Sequence, residues 1–231
     1  MGAIRKIKVF GDSILKGVQL NPESLKYYVD NHIDIDLISE KYSFTIENHS
    51  KFGCTITKGY SLIKKYLETG AKCDLMVMDY GGNDCDFNWQ EVAEKSDEEH
   101  FPQTPLNVFA DTYRKIIDLL KQKGIRPILT NLPPLDAERF FNWFCSKFNK
   151  KNILKWLGDV SAIYRYQESY SEMIEEIAKE ADVPLVDLRG AFLRHGNVGE
   201  LLCEDGTHPN TEGQKIITEA FLEFAEKMTA A

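Results

Sequence analysis

What this chain of 231 residues lacks narrows its class before any motif is read. No apolar run approaches the roughly 18 residues that cross a bilayer as a helix. The first ten residues, Met1–Phe10, run straight into a strand pattern without the apolar core of a secretory signal. A basic surplus is missing too: 28 lysines and arginines face 36 aspartates and glutamates, for a formal charge of −8. That balance argues against a sequence-independent nucleic-acid binder, which needs a basic face. The plain reading of the acidity is solubility.

Cysteine is sparse and unpaired in pattern. Cys54, Cys73, Cys85, Cys145 and Cys203 form an odd, widely spaced set with no Cys-x-x-Cys. Free thiols in a reducing cytoplasm are therefore expected. Also absent are the Gly-x-Ser-x-Gly elbow, the phosphate-binding Gly-x-x-x-x-Gly-Lys loop, Gly-x-Gly-x-x-Gly and His-Glu-x-x-His. His32, His49, His100 and His195 show no ligand spacing with cysteines or carboxylates. Neither a metal nor another cofactor is expected.

What is present is an alternation of strand and helix, with a length that suits one domain over residues 1–231. Ile4–Phe10, Ser43–His49, Asp74–Tyr80, Arg126–Leu132 and Pro184–Leu188 read as strands. Their near-continuous apolar runs, bounded by Gly and Pro, suit strands buried on both faces. Helical spacing marks Thr57–Thr69, Leu106–Lys123, Tyr164–Glu180 and Glu212–Lys227, with Gly70 and Gly124 where helix caps belong. Leu20–Tyr42 mixes helical fragments with loop. The sum predicts an α/β fold, a three-layer α/β/α sandwich on a five-stranded parallel sheet. Ligands of such sheets sit beyond the carboxyl ends of the strands.

Four short stretches fall at that edge: Gly11-Asp12-Ser13, Gly53, Gly81-Gly82-Asn83-Asp84, and Asp205-Gly206-Thr207-His208-Pro209. Ser13 follows the first strand, where its hydroxyl can face a cleft and its N–H can sit near the start of a following helix. A plain capping turn is the alternative for Gly-Asp-Ser alone. Gly206 allows a tight bend that returns the Asp205 carboxylate to Nδ1–H of His208, leaving Nε2 for the serine. Asn83 offers a neutral amide donor after two glycines, and Gly53 a further backbone N–H. Asp12 and Asp84 read as hydrogen-bond acceptors that hold their loops. Cys54, beside Gly53, reads as a buried structural thiol.

Together these stretches resemble the SGNH/GDSL hydrolase family, in order and over Gly11–Pro209. Ile14 after Gly-Asp-Ser is a mild departure from the family's first block. The resemblance implies the flavodoxin-like SGNH fold and a serine ester hydrolase. Ser13 would be the nucleophile and Asp205 with His208 the base pair. The Ser13 N–H, the Gly53 N–H and the Asn83 amide would form the oxyanion hole. The expected partner is a small-molecule ester cleaved through an acyl-enzyme. A sugar O-deacetylase, lysophospholipase or thioesterase of the same fold is the neighbouring alternative. A flavodoxin-like binding module that keeps the loops without the chemistry is the alternative from another class.

A helical insert, about residues 136–160, follows the fourth strand and should rise over the same edge. It carries Phe140, Phe141, Trp143 and Phe144 at near-helical spacing, with five basic residues against three acidic ones. Three readings stand: a subdomain packing its aromatic stripe on the core, a wall of an acyl pocket, or a surface for transient lipid or subunit contact. On the pocket reading these four aromatics, with Asp12 beside the nucleophile, contact substrate. Cys85–Pro105 reads as a flexible rim loop. Oligomeric state is left open.

Overall fold

Period-two alternation divides the strands between two cores. A computed structural model describes residues 6–30 and 33–230. Ile4 and Arg5 of the first expected strand, with the rest of Met1–Arg5, and His32 lie outside the described residues. Strand β1 (Lys6–Gly11) leads into a hairpin of β2 (Val18–Leu20) and β3 (Tyr27–Val29), then α1 (Ile35–Tyr42). Next come β4 (Thr45–Asn48), α2 (Ile56–Glu68), β5 (Leu75–Asp79), α3 (Trp89–Glu94), α4 (Leu106–Gln122) and β6 (Arg126–Thr130). The insert forms α5 (Ala137–Cys145) and α6 (Lys150–Leu157), followed by α7 (Ser161–Glu180) and β7 (Leu185–Val186). Helix α8 (Leu188–His195), a 3₁₀ turn at Val198–Leu201 and α9 (Thr211–Ala230) complete the described chain.

Five strands form one parallel sheet in the order β4-β1-β5-β6-β7. The connection runs outward from β1 to β4 and then back to β5. The order in which strands are added therefore reverses between β1 and β5, where open α/β sheets bind ligands. Ile7, Val9, Leu75 and Val77 pack one face against α1, α8 and α9. Phe10, Met76 and Met78 pack the other against α2, α4 and α7. A third cluster joins α3 to the insert through Trp89, Phe141, Phe144 and Ile153. Among the described residues, no helix is long and apolar enough to cross a membrane.

The expected helices form nearly where the spacing put them, and Gly70 and Gly124 end two of them with φ of 73° and 71°. Three local differences matter. No helix follows Ser13: the chain turns at Gly17, φ 75°, into the β2–β3 hairpin. The last sheet strand stops at Val186 because the Asp187 carboxylate accepts the Gly190 N–H at 2.8 Å and starts α8. The segment Cys85–Pro105 holds α3 and buries Phe87 and Trp89, so it is packed structure rather than a loose rim.

Candidate active site

The site is built from the ends of β1 and β5 and from the loop before α9. Gly11 is paired with Asp79 across the two strands, and a Cβ on Gly11 would come within 2.9 Å of the Asp79 Cβ. That close approach brings the two strand ends together. Beyond it, the Val18 N–H donates to the Ser13 carbonyl at 3.0 Å and the Asn48 amide to the Leu15 carbonyl at 2.6 Å. Ser13 is held in a turn that is bonded on both sides.

The loop carrying His208 is equally constrained. Cys203 N–H donates to the His208 carbonyl at 2.8 Å, and Gly206 bends at φ 75°. Any side chain on Gly206 would collide at 2.7 Å with the Asp136 carbonyl and the Phe140 nitrogen, at the start of the insert. Asp205 is fully buried; its Oδ1 accepts the N–H groups of Thr207 and His208 at 3.0 and 3.1 Å. Its Oδ2 lies 2.6 Å from His208 Nδ1, and His208 Nε2 lies 2.9 Å from Ser13 Oγ. Burial alone would raise the Asp205 carboxyl, but the hydrogen bonds and charge of His208 and the two backbone N–H groups hold it below its ordinary range.

Asn83 lies across the same cleft. Its Nδ2 donates to Asp12 Oδ2 at 2.9 Å, which leaves the second amide hydrogen for the cavity. Asp12 Oδ1 accepts the Ile14 N–H at 2.9 Å, so Asp12 orients the amide and the Ser13 turn, and it also lines the cavity. Asp84 accepts the Ile56 N–H with both oxygens, at 3.0 and 3.1 Å, and ties the Asn83 loop to the start of α2 just after Gly53. Gly53 adopts φ 66° in that turn. Among the described residues, neither its N–H nor that of Ser13 donates to another group.

The cavity between these groups measures about 280 Å³. Phe140, Trp143 and Phe144 of α5 line it, as expected of the insert. Phe141 does not: it turns inward and is buried in the insert's own core, because α5 must cover α6 and α3 with its other face. Five aromatic walls were not given this role from the residues alone: Tyr27, Phe52, Phe87, Trp89 and Tyr166. Phe52, adjacent to Gly53, carried a positional signal, as did Phe87 and Trp89 in the Cys85–Pro105 segment after Asn83. Trp89 stacks on Phe144 at 4.2 Å and joins the β5 loop to the insert. Cys54 and Cys85 are buried thiols, and burial pushes both above the ordinary thiol range.

The carboxyls behind the site make stability depend on pH. Burial pushes Asp79, Asp84 and Asp86 up to about 6. Burial first, and then the Asp79 charge, hold Asp12 well above the aspartate range. Folded-state values above the unfolded ones mean that the native protein holds extra protons between about pH 4 and 6. Stability therefore falls as pH rises through that window. For one carboxyl moved from about 4 to about 6, the full effect is about 3 kcal/mol. The urea midpoint is expected to be higher at pH 5 than at pH 8, and Asp79→Asn, which keeps an acceptor for Thr130, is expected to narrow the difference. A midpoint that is level or rising between those pH values would contradict this account.

The chain belongs to the GDSL-like lipase/acylhydrolase family, whose model matches residues 9–216. Over 155 residues it is 29% identical to the GDSL esterase/lipase WDL1 of Oryza sativa subsp. japonica, covering 66% of this chain and 54% of that protein. Over 130 residues it is 32% identical to the isoamyl acetate-hydrolyzing esterase of Saccharomyces cerevisiae, covering 54% of this chain and 50% of the yeast protein. The matched part thus spans about half the length of these curated relatives. The fold is shared with the lipase/acylhydrolase from Enterococcus faecalis, at a TM-score of 0.66, 19% identity and 97% coverage of each chain.

Proposed function

We propose that this chain hydrolyses small carboxylic esters through an acyl-enzyme on Ser13. The observation that carries the reading is the continuous hydrogen-bond line from Ser13 Oγ through both nitrogens of His208 to buried Asp205. Asp205 fixes the proton on Nδ1, so Nε2 is free to take the Ser13 proton as Oγ bonds to the carbonyl carbon. The negative charge that develops on the carbonyl oxygen meets the Ser13 N–H, the Gly53 N–H and the second Asn83 amide hydrogen. Collapse expels the alcohol, which takes its proton from His208. Water, deprotonated by the same imidazole, then releases the acid and restores Ser13.

The cavity favours an apolar substituent over a hydroxyl-rich one. A 150 Å³ apolar cavity holds a benzene ring, so about 280 Å³ has room for roughly two such groups. Away from the reacting groups, two polar wall residues are already engaged. Gln167 donates to the Pro133 carbonyl at 2.6 Å and accepts from Arg189 at 2.9 Å. Asp86 accepts from the Trp89 indole at 2.8 Å. The yeast relative acts, by its name, on isoamyl acetate, an ester of this size and polarity.

The test is hydrolysis of a p-nitrophenyl ester series from acetate to octanoate by the parent protein and by Asn83→Ala. The parent is expected to turn over the shorter members. Asn83→Ala should fold and lose about 10²–10³ in kcat, the usual effect of one oxyanion donor. A parent inert to the whole series would remove the esterase reading; an unimpaired Asn83→Ala would remove only the role of Asn83.

A further inference from the structure

Two exposed aromatic rings press on the His208 imidazole, and the hydrolytic step described above uses neither. Phe52, in the turn before Gly53, stacks on the imidazole with centroids 5.9 Å apart and planes 6° apart. Tyr27, on the outer strand of the hairpin, lies 5.0 Å from it at a 55° tilt. Tyr27 also meets Phe52 at 5.4 Å and the edge of Trp143 at 6.5 Å. Phe52 is 53% exposed and Tyr27 40%, yet both line the cavity. Three other rings of the same cavity, Phe87, Trp89 and Phe144, are 5%, 7% and 8% exposed, with the exposed Tyr166 packed 5.0 Å from Phe87. One cavity therefore has a buried aromatic wall away from His208 and an open aromatic mouth beside it.

The hairpin that carries Tyr27 is fixed in place. Its inner strand, Val18–Leu20, is buried, and the Leu20 N–H donates to the Cys203 sulfur at 3.5 Å, five residues before His208 in the chain. Tyr27 and His208 are thus set by the same pair of packed segments. Stereochemistry assigns the two ends. When Ser13 adds to an ester, the new tetrahedral carbon carries Oγ, the oxyanion, the leaving oxygen and the acyl chain. The oxyanion faces Asn83. The leaving oxygen must come within about 3 Å of His208 Nε2 to receive its proton. The first carbons of the alcohol then fall roughly 4–5 Å from the imidazole, in van der Waals reach of rings stacked on it. The acyl chain takes the direction left over, toward the buried rings.

Resting on the ester-hydrolase reading, the geometry points to Tyr27 and Phe52 as the subsite for the alcohol half of the ester, with the acyl half held by the enclosed rings of the insert and α3. The room left beside the buried rings, in a cavity of about 280 Å³, limits acyl length, whereas the open mouth accepts a growing alcohol and gains from each carbon laid on its rings.

Two ester series separate these roles: acetates of methanol through hexanol, and ethyl esters of acetic through octanoic acid. In the parent, kcat/KM should rise about twofold per methylene of the alcohol, about the factor for a half-buried CH₂. It should fall once the acyl chain outgrows the cavity. Phe52→Ala and Tyr27→Ala should flatten the alcohol slope and leave the acyl profile in shape, whatever they do to the methyl acetate rate. An alcohol slope that persists in both variants, or an acyl profile that changes instead, overturns the assignment. Binding of 1-hexanol, followed by tryptophan fluorescence in Ser13→Ala with and without Phe52→Ala, needs no turnover. Affinity lost with Phe52 in a parent that cleaves no ester would sink the hydrolase reading and keep the subsite. Affinity indifferent to Phe52 would sink the subsite.

Discussion

Replacing Ser13 with alanine is expected to lower ester hydrolysis by at least about 10⁴-fold and to abolish covalent labelling by a fluorophosphonate probe. Losing the nucleophile of such a constellation leaves only the oxyanion donors and substrate binding to act on water. Ser13 is buried at 6% exposure, and its hydroxyl makes the 2.9 Å contact with His208 Nε2. Alanine removes one oxygen and leaves the turn intact, because that turn is held by backbone bonds and by Asp12. Mass spectrometry of the labelled parent should place the adduct on Ser13. Labelling that survives in Ser13→Ala would move the nucleophile elsewhere, and a mutant rate within tenfold of the parent would do the same.

Asp205→Asn should be nearly as damaging, about 10⁴-fold in kcat, with KM little changed. The reason lies in the bonding of the carboxylate. Oδ1 already accepts two backbone N–H groups, from Thr207 and His208. An asparagine would keep its carbonyl oxygen there and turn its NH₂ toward His208 Nδ1. That nitrogen must then accept, the ring proton moves to Nε2, and Nε2 can no longer take the Ser13 proton. Circular dichroism should show an unchanged fold beside the lost rate. Retention of more than a tenth of parental kcat would mean that Asp205 does not set the imidazole tautomer.

The Asp205–His208 pair lies three residues apart within one bend, so it was readable from its residues: a carboxylate, a glycine and an imidazole at fixed spacing. Strands β1, β5 and β6 were readable for a similar reason, since buried strands need unbroken apolar runs and glycine or proline to end them. Strand β4, expected to be buried on both faces, instead lies at the sheet edge and is mostly exposed. The turn after Ser13 was less readable. Gly17 and the Val18-Gln19-Leu20 run draw the chain into a hairpin, but a three-residue strand carries too short a period to announce itself. Phe141 and Phe144 share α5 and the same residue type, and their spacing alone could not say that both enter the insert's core while only Phe144 also reaches the cavity.

By itself, then, the order of residues determined the alternation of strand and helix, the parallel sheet, and the four stretches placed at its carboxyl edge, because each depends on short-range periodicity or on a single bend. Tertiary structure alone decided that Ser13 and His208, 195 positions apart, come within hydrogen-bonding distance, and that Tyr27 and Phe52 close on the imidazole. Contacts of that kind are set by how whole elements pack, and packing is a property of matched surfaces that no local window of sequence contains.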